Sequence, residues 1–435
     1  MVGSLRSHLP IMAAAVAIMA GYPCAAAPIE DALSPKHNRA TITPSLVHVE
    51  LSGSQRFRAV MVATRLMGAR VPARVKWAVN DIAGGNAAVG TISAEGVYTA
   101  PKVMPSPREI HICAEVPEAA NRYLFATVIV GKGAPRYRSV RVWTQPGAEK
   151  AGEEGKLFDP HGIALDNRGN LIIVDQLGSA VWRVSQEGKF LQRIDSGRGS
   201  EPGQVTEPRI VAVNRQGRIY VSDSKGDRPR LQVFSPDGKF VRIFAEKGRL
   251  PGMLLRCHGM GFDPSGRLFT TDVDNMRVSA YTPAGKHLYD WGEEGLKPGQ
   301  FNAPHGIFVD RNADLFITGY YGPTQKFDDV GNFITAFGHA DPPDGPVYFH
   351  NVTGDRWGNI YLMVRTKAGY QGAAEAGGSQ RYSIMKYNNN GDFVTGWGFT
   401  AEKHSETTCA VGDNGRVYAL LKGGGEVGVE TFEEE

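Results

Sequence analysis

The chain has little cysteine and little excess charge, and both shortages restrict what it can be. Only four cysteines occur in 435 residues. Cys113, Cys257 and Cys409, which lie beyond the N-terminal leader, are too few for a disulfide framework. We expect three small buried hydrophobic side chains, with a Cys257–Cys409 bond as the alternative. Lysine and arginine exceed aspartate and glutamate by 48 − 45 = +3, so there is no basic excess for nucleic acid.

Long apolar runs are also scarce. Beyond the leader no stretch reaches 18 continuous apolar residues, so no further membrane span is expected. At the start, Arg6 precedes an apolar run at 11–21, and small residues follow at 24–27. That order is typical of a secretory signal peptide. We predict removal of residues 1–26 and a secreted or periplasmic protein, whose acidic end at 433–435 is solvated.

Glycine, proline and short alternating segments are abundant. Fifty-three glycines and 26 prolines suit a chain with many tight turns. Between residues 40 and 131, runs such as VKWAVN and REIHICAEV alternate apolar and polar residues, which predicts a β-sandwich with Trp77 as a core anchor. The order W-A-V-N, G-T-I and G-x-Y-T-A-P resembles bacterial immunoglobulin-like domains. The resemblance implies a spacer or adhesive module, joined to the rest by a linker at 132–136.

From residue 137 to residue 435 the sequence repeats. Each copy holds an apolar strand, a turn and a second strand, followed by a third strand and usually a fourth. Four short strands per repeat of about 40–50 residues predict the blades of a β-propeller. The copies resemble NHL repeats, which implies an all-β, six-bladed propeller. The six copies start at His161, Arg209, His258, His305, His350 and Thr407.

The two ends of the repeat region complement each other. The last copy ends after EVGVETF and lacks a fourth strand, whereas SVRVWTQPG at 139–147 stands alone before the first copy. Closing a ring of blades leaves no unpaired sheet edge. We therefore predict that the N-terminal strand completes the last blade.

Histidine occupies the first position of four of the six copies, in a chain with 11 histidines. First strands line the channel of a propeller, so these positions form a ring. His161, His258 and His350 fall on alternate copies. Neutral imidazole is the commonest ligand of zinc, copper or iron, and three histidines with an open position are typical of catalytic zinc. We predict a divalent metal, zinc first, with His305 as a fourth ligand or proton carrier.

A structural explanation of these histidines stays open. Duplicated repeats share residues without sharing a function, and an imidazole can simply hydrogen-bond a backbone carbonyl in a water-filled channel. However, the histidine persists where its neighbours differ, as in DPHGI, RCHGM, APHGI and YFHNV. Both interpretations remain, and the metal is the one we adopt.

The loops after each second strand share the face on which the histidines lie. They contain Lys225, Tyr320, Tyr321 and Lys422, which either bind an anionic substrate, with tyrosine as proton donor, or are exposed surface. The insertion at 365–381 on this face is either a flap over the channel or an uninvolved surface segment. Three aspartates recur at one position of these loops, which predicts turn capping: Asp175, Asp223 and Asp272.

A secreted propeller with three channel histidines on alternate copies resembles the peptidyl-α-hydroxyglycine α-amidating lyase family. That family holds zinc with three histidines in Pro-His motifs and splits a hydroxyglycine-extended peptide into a peptide amide and glyoxylate. His161, in DPHGIALD, matches in full, whereas His258 and His350 match by copy and position but lack the proline. The resemblance also implies calcium at Asn351 and the carbonyl of Ile163, and Asn can offer oxygen to calcium.

The sequence departs from the family at the catalytic side chains. Lys225 stands at the family's tyrosine, and Val273 and Lys422 stand at its two arginines. Tyr320 or Tyr321 would have to replace the tyrosine from another copy. We expect a metal-dependent lyase or hydrolase of small polar or peptide-derived substrates, in which Lys225 and Lys422 orient an anionic group. The alternative is a non-catalytic ligand- or protein-binding propeller displayed by the immunoglobulin-like module.

Overall fold

A computed structural model gives the structure of the chain. All the regular elements described below are β-strands, so the prediction of an all-β chain is confirmed. No helix in the described residues has the length and apolar character that a membrane crossing requires. The structure describes residues 39–63, 69–72, 74–223, 228–319, 322–338, 347–366, 373–374, 381–399 and 408–435.

The strands of residues 39–130, called the N-terminal β region here, form three sheets with the orders β1-β4-β5, β3-β10-β9-β8 and β2-β12-β11-β6-β7. Only β2 and β12 pair in parallel. The strands are β1 (Arg39–Thr43), β2 (Leu46–Val49), β3 (Ser54–Arg56), β4 (Arg58–Ala63), β5 (Ala69–Pro72), β6 (Lys76–Val79), β7 (Ile82–Ala83), β8 (Gly85–Asn86), β9 (Gly90–Ile92), β10 (Val97–Thr99), β11 (Glu109–Glu115) and β12 (Tyr123–Val130).

The core of the N-terminal β region follows from strand alternation, because successive side chains point to opposite faces. Ile110 and Ile112 of β11 lie in its hydrophobic core, together with the fully buried Tyr98. Trp77, which we expected to anchor this core, is only partly buried and packs against it. The other face of β11, with His111, is also buried, because the propeller covers it.

The repeats form six four-stranded sheets, each with its first strand given first. The first four are β14 (Pro160–Leu165), β15 (Leu171–Asp175), β16 (Ala180–Val184), β17 (Phe190–Arg193); β18 (Pro208–Val213), β19 (Ile219–Asp223), β20 (Arg230–Phe234), β21 (Phe240–Phe244); β22 (Cys257–Phe262), β23 (Leu268–Asp272), β24 (Arg277–Tyr281), β25 (His287–Trp291); and β26 (Pro304–Val309), β27 (Leu315–Gly319), β28 (Thr324–Phe327), β29 (Phe333–Phe337). The fifth is β30 (Val347–Gly354), β31 (Ile360–Thr366), β34 (Ile384–Tyr387) and β35 (Phe393–Trp397), with a hairpin of β32 (Ala373–Ala374) and β33 (Arg381–Tyr382). The sixth is β36 (Cys409–Val411), β37 (Val417–Gly423), β38 (Glu426–Glu434) and β13 (Tyr137–Pro146).

The last sheet is assembled from both ends of the repeat region. Strand β13 pairs antiparallel with β38, so that Trp143 lies opposite Val429. The sheet order β13-β38-β37-β36 confirms the prediction that the N-terminal strand completes the last sheet.

The six first strands make the channel. They contact one another in the cyclic order β14, β18, β22, β26, β30, β36 and back to β14. Such a closed ring of sheets is a β-propeller. Residues from all six first strands line a channel of about 680 Å³.

The glycine that follows the histidine in three copies has a packing reason. A Cβ atom on Gly259 would lie 2.5 Å from the carbonyl oxygen of His305, and one on Gly162 would lie 2.8 Å from that of Arg209. Both oxygens belong to the first strand of the next sheet. The glycine therefore lets neighbouring first strands approach, and this part of the Pro-His-Gly pattern is structural.

The cysteine prediction is confirmed. Cys113, Cys257 and Cys409 are all buried, and none of the three forms a disulfide with another described residue. Burial raises the pKa of the Cys113 and Cys409 thiols to about 12, so both stay protonated near neutral pH and are poor nucleophiles.

The N-terminal β region packs against the propeller through polar contacts. Asn312, in the turn between β26 and β27, accepts the amide hydrogen of Tyr123 at 2.9 Å and donates to its carbonyl at 2.7 Å. His111 stacks on Trp357, with ring centroids 4.7 Å apart. Lys386 donates to Glu109 at 2.5 Å, and both side chains are buried.

The expectation that the acidic end is solvated is wrong for Glu433 and Glu434, whereas Glu435 is exposed. Glu434 accepts the backbone N–H of Glu109 at 3.0 Å, and Glu433 forms ion pairs with Arg138 and Arg416. These contacts connect strand β38 to the N-terminal β region and to its own sheet.

The glycine contacts predict the result of a substitution. Gly259→Ala should lower the free energy of unfolding by about 1–3 kcal/mol, because the added methyl group forces two first strands apart. Urea denaturation measures the change. In the matched control Gly147→Ala, the methyl group would lie 3.7 Å from the nearest atom, so little change is expected. Equal stabilities of the two variants would contradict the explanation.

The buried ion pair predicts a second result. Lys386→Met should destabilise the protein by about 3–5 kcal/mol, because it leaves the buried Glu109 carboxylate without its cation. Glu109→Gln together with Lys386→Met should cost less than the sum of the single changes, as denaturant unfolding would show. Lys76→Met, at an exposed ion pair, is the control. Additive effects would show that the pair does not act as a unit.

Candidate metal centre in the channel

The histidines lie at irregularities of the first strands. In β14, Pro160 pairs with Asp175 and Gly162 pairs with Val174, which leaves His161 out of the register. The same shift leaves out His258 in β22 and His350 in β30. A β-bulge redirects a side chain and is frequent beside functional sites. The local backbone therefore sets these positions apart from the rest of each strand.

The bulge itself does not require histidine. Arg209 is left out of register in β18 in the same way, and in β26 both His305 and Gly306 are skipped. The bulge is thus a property of the repeat. The choice of imidazole at four of these places needs a reason of its own.

Hydrogen bonds fix the tautomer of two of the imidazoles. Nδ1 of His161 lies 3.2 Å from the carbonyl oxygen of Arg209, and Nδ1 of His305 lies 2.8 Å from that of Ala303. A carbonyl can only accept, so each Nδ1 carries a proton, and in the neutral form of the ring the lone pair is on Nε2. This is how backbone carbonyls orient histidine ligands at metal sites.

The imidazoles share a buried environment. The rings of His258 and His305 meet edge to face with centroids 4.5 Å apart, and both residues are buried. Burial, with the nearby charge of Arg209, lowers the pKa of His161 to about 3. His161 is therefore neutral near pH 7, the form that binds metals.

The predicted ligand set is tested only in part. Among the residues that the structure describes, no group of three or more His, Cys, Asp or Glu side chains could hold a metal ion. The side chain of His350 lies outside the described residues. The imidazoles of His161 and His305, each with Nδ1 beside a backbone carbonyl, fit a zinc ligand set in kind, and the three-histidine centre stays a prediction.

The two residues assigned to calcium also line the channel. Asn351 is half-buried, and its Oδ1 accepts the amide hydrogen of Val352 at 2.8 Å. Ile163 is buried in β14. A calcium role stays a prediction, and Asn351 would have to offer the oxygen that now bonds its neighbour.

Lys422 is the described member of the predicted catalytic set. Its ammonium group forms an ion pair with Asp159, two residues before His161. Its charge is therefore matched by a carboxylate beside the channel, and the predicted anion-orienting role remains untested. Lys225, Tyr320 and Tyr321 lie outside the described residues, as does most of the 365–381 insertion.

The three recurrent aspartates hold the segments that lead into the first strands. Asp175 accepts the amide hydrogens of Phe158 and Asp159 at 2.7 and 2.6 Å. Asp272 accepts those of Leu255 and Arg256 at 2.8 and 3.1 Å. These held segments lie directly before His161 and His258. Asp223 holds residues 206 and 207 in the same way. The turn-capping prediction is confirmed for Asp175, which also accepts the N–H of Gly178 at 3.3 Å, and for Asp272, which accepts those of residues 274 and 275 at 3.2 Å.

The structure adds one residue that the sequence did not single out, Arg256. Val273, at the family's arginine position, is buried and leaves no cation there. Arg256, two residues before His258, instead forms an ion pair with Asp274 at 2.5 Å. In the sequence, Arg256 was marked only by its position two residues before His258. Arg256 is thus a partly exposed guanidinium that lies two residues from His258 along the chain.

No protein-family model matches the chain. Over 114 residues the chain is 30% identical to peptidylglycine alpha-amidating monooxygenase of Rattus norvegicus, covering 24% of this chain and 12% of the rat protein. It is 24% identical over 156 residues to Protein brain tumor of Drosophila melanogaster, covering 36% of this chain and 14% of that protein. The chain therefore spans only about an eighth of the length of the curated relatives that it matches.

Solved structures with a similar course of the chain include virginiamycin B lyase from Staphylococcus aureus, at 13% identity and a TM-score of 0.45, covering 69% of this chain and 88% of that one. A gluconolactonase from Xanthomonas campestris gives 14% identity and a TM-score of 0.46, covering 70% and 96%. A Bacteroides thetaiotaomicron protein of unknown function gives 13% and 0.48, covering 92% and 99%. The sheet order and the cyclic contacts of this chain define the class, a β-propeller protein.

Proposed function

We propose that the chain is an exported metal-dependent lyase or hydrolase that acts on small polar or peptide-derived substrates. Its repeats are six NHL-type blades, and its N-terminal β region is an immunoglobulin-like domain. His161, His258 and His350 hold a divalent metal, zinc in the first place, with His305 beside them. Export rests on the signal-like residues 1–26. The partial similarity to the peptidylglycine alpha-amidating monooxygenase supports a peptide-derived substrate.

The histidine at the bulge is the observation that carries the proposal. The bulge is a property of the repeat, because Arg209 occupies an equivalent bulge. The close approach of the next strand explains the glycine that follows. Packing does not explain four imidazoles, two of which have Nδ1 held by a backbone carbonyl. A metal bound in common by these imidazoles would explain them.

A zinc ion at this place would supply Lewis-acid chemistry and a base near neutral pH. The protein's own contribution is orientation and charge. The proposed cations for an anionic group of the substrate are Arg256, two residues before His258, and Lys422, paired with Asp159 two residues before His161. Lys225, Tyr320 and Tyr321 complete the proposed set of binding and proton-transfer groups.

A non-catalytic ligand- or protein-binding propeller is the second candidate. Burial of Val273 and the lysines at positions 225 and 422 favour it, because the family's acid, base and anion-binding groups are then incomplete. In this case a metal is structural or absent.

Metal analysis separates the two candidates. The purified protein should contain about one zinc per chain, as expected for a histidine site, and His258→Ala should lose most of it. His287→Ala is the control, since that imidazole lies in β25, the outer strand of its sheet, and contacts Asp290 of the same strand. Zinc content that is absent, or unchanged in His258→Ala, would refute the metal site.

The specific lyase activity has its own assay. Zinc-loaded protein should release glyoxylate from an α-hydroxyglycine-extended peptide, and Arg256→Ala should slow release by about tenfold or more if its guanidinium orients the substrate carboxylate. Arg141→Ala, at a surface ion pair on the sixth sheet, should leave the rate unchanged. Loaded protein without any glyoxylate release would exclude this lyase reaction and leave other hydrolase or binding roles.

A further inference from the structure

A second cleft lies at the opposite end of the first strands from the histidines. It is formed between the N-terminal β region and the fifth and sixth sheets, with a volume of about 770 Å³. Small-molecule sites occur preferentially at such boundaries between packed units. The turns after β30 and β36 line it, and the proposed metal centre does not involve it.

The lining of this cleft is acidic. Six carboxylates line it, against four lysine and arginine side chains, so the formal balance is 4 − 6 = −2. The carboxylates are Glu109, Asp355, Asp413, Glu433, Glu434 and Glu435.

Two of these carboxylates have protein cations as partners. Glu109 is paired with the buried Lys386, and Glu433 is paired with Arg138 and Arg416. Asp355 is used by its own turn, where it accepts the amide hydrogens of Trp357 and residue 359. The acidic excess therefore falls on the remaining residues.

Glu434 is the critical member of that excess. It accepts the N–H of Glu109 but forms no ion pair among the residues described. Burial and the neighbouring Glu109 carboxylate raise the pKa of Glu434 to about 7. A carboxylate in this situation gains from any cation that enters the cleft.

His111 provides an independent sign of a ligand. It is 6% exposed and lines the cleft. Its Nε2 lies 3.5 Å from Glu109 Oε1, whereas Nδ1 has no hydrogen-bond partner in the described part of the chain. With the proton on Nε2 toward the carboxylate, Nδ1 is a buried acceptor, which is costly unless a donor reaches it. Trp357, stacked on the His111 ring, forms the adjoining wall.

We propose that this cleft is a binding site for a small organic cation with N–H donors, such as a guanidinium or a primary ammonium. The cation lies between Glu434 and His111 and donates to both. It offsets the acidic excess and satisfies the buried acceptor at once. The site is separate from the channel histidines, so it stands whether or not the chain is an enzyme.

Binding is linked to protons. Glu109, Lys386 and the backbone amides of residues 108 and 109 face Glu434, and Tyr137 interacts with its charge. The same cleft is also lined by Asp355, Arg356, Tyr361 and His111. A bound cation favours the ionised carboxylate and so lowers its pKa. Binding near pH 7 therefore releases a proton, and affinity should rise as the pH increases from about 6 to about 8.

Calorimetric titration of the whole protein with agmatine tests the site. We expect one saturable event with a Kd of about 1 mM or lower at pH 8, with proton release that appears as a buffer-dependent heat at pH 7. Glu434→Gln should weaken binding about tenfold, and Asp413→Asn, at the exposed rim, should weaken it less. Glu187→Gln, at an exposed ion pair with Arg141, is the matched control and should bind as the parent protein does.

Several results would overturn the proposal. They are no saturable heat up to about 10 mM agmatine, equal affinity in Glu434→Gln and the parent, or citrate binding in place of agmatine. Thermal melts establish whether each variant is folded. If Glu434→Gln is not folded, an agmatine affinity of Asp413→Asn equal to that of the parent overturns the proposal. His258→Ala should bind agmatine normally, so loss of the metal centre and loss of this site are distinguishable.

Discussion

The close approach of neighbouring first strands around the channel is the constraint on which the rest of the propeller depends. At Gly162 and Gly259 the backbone of the next strand lies where a Cβ atom would be. In these copies no side chain separates the strands at this level, so the sheet is seated directly on its neighbour. The bulge one residue earlier follows from the same crowding, because the chain must enter this narrow ring from a wider loop.

That constraint also acts on two of the histidines, His258 and His305. A residue left out of register just before the point of closest approach is held near the axis by backbone geometry, whatever its side chain. His258 and His305 consequently meet in edge-to-face contact. The aspartates at the ends of the second strands hold the preceding segments, as Asp175 does for residues 158 and 159. The positions of the imidazoles are therefore set by backbone and capping contacts rather than by one another.

Local patterns in the sequence were sufficient for much of this arrangement. Strand alternation and the repeat period gave the sheets, and the missing last strand pointed to the pairing of β13 with β38. What could not be predicted were contacts between segments far apart in the chain. Nothing near Glu434 indicates that it meets the backbone of Glu109, and nothing near Val273 indicates that it is buried while Arg256 supplies a guanidinium nearby. Such contacts depend on how the N-terminal β region and the loops pack, which no local period encodes.

Strand β13 has a consequence for how the molecule comes apart. It leads directly from the N-terminal β region and is at the same time the edge strand that fastens the sixth sheet to the start of the repeats. Tension applied between the N-terminal β region and the propeller would therefore act as a shear on the pairing of β13 with β38, which closes the ring. Mechanical release of one part would open the other, so the two should come undone in a single cooperative event.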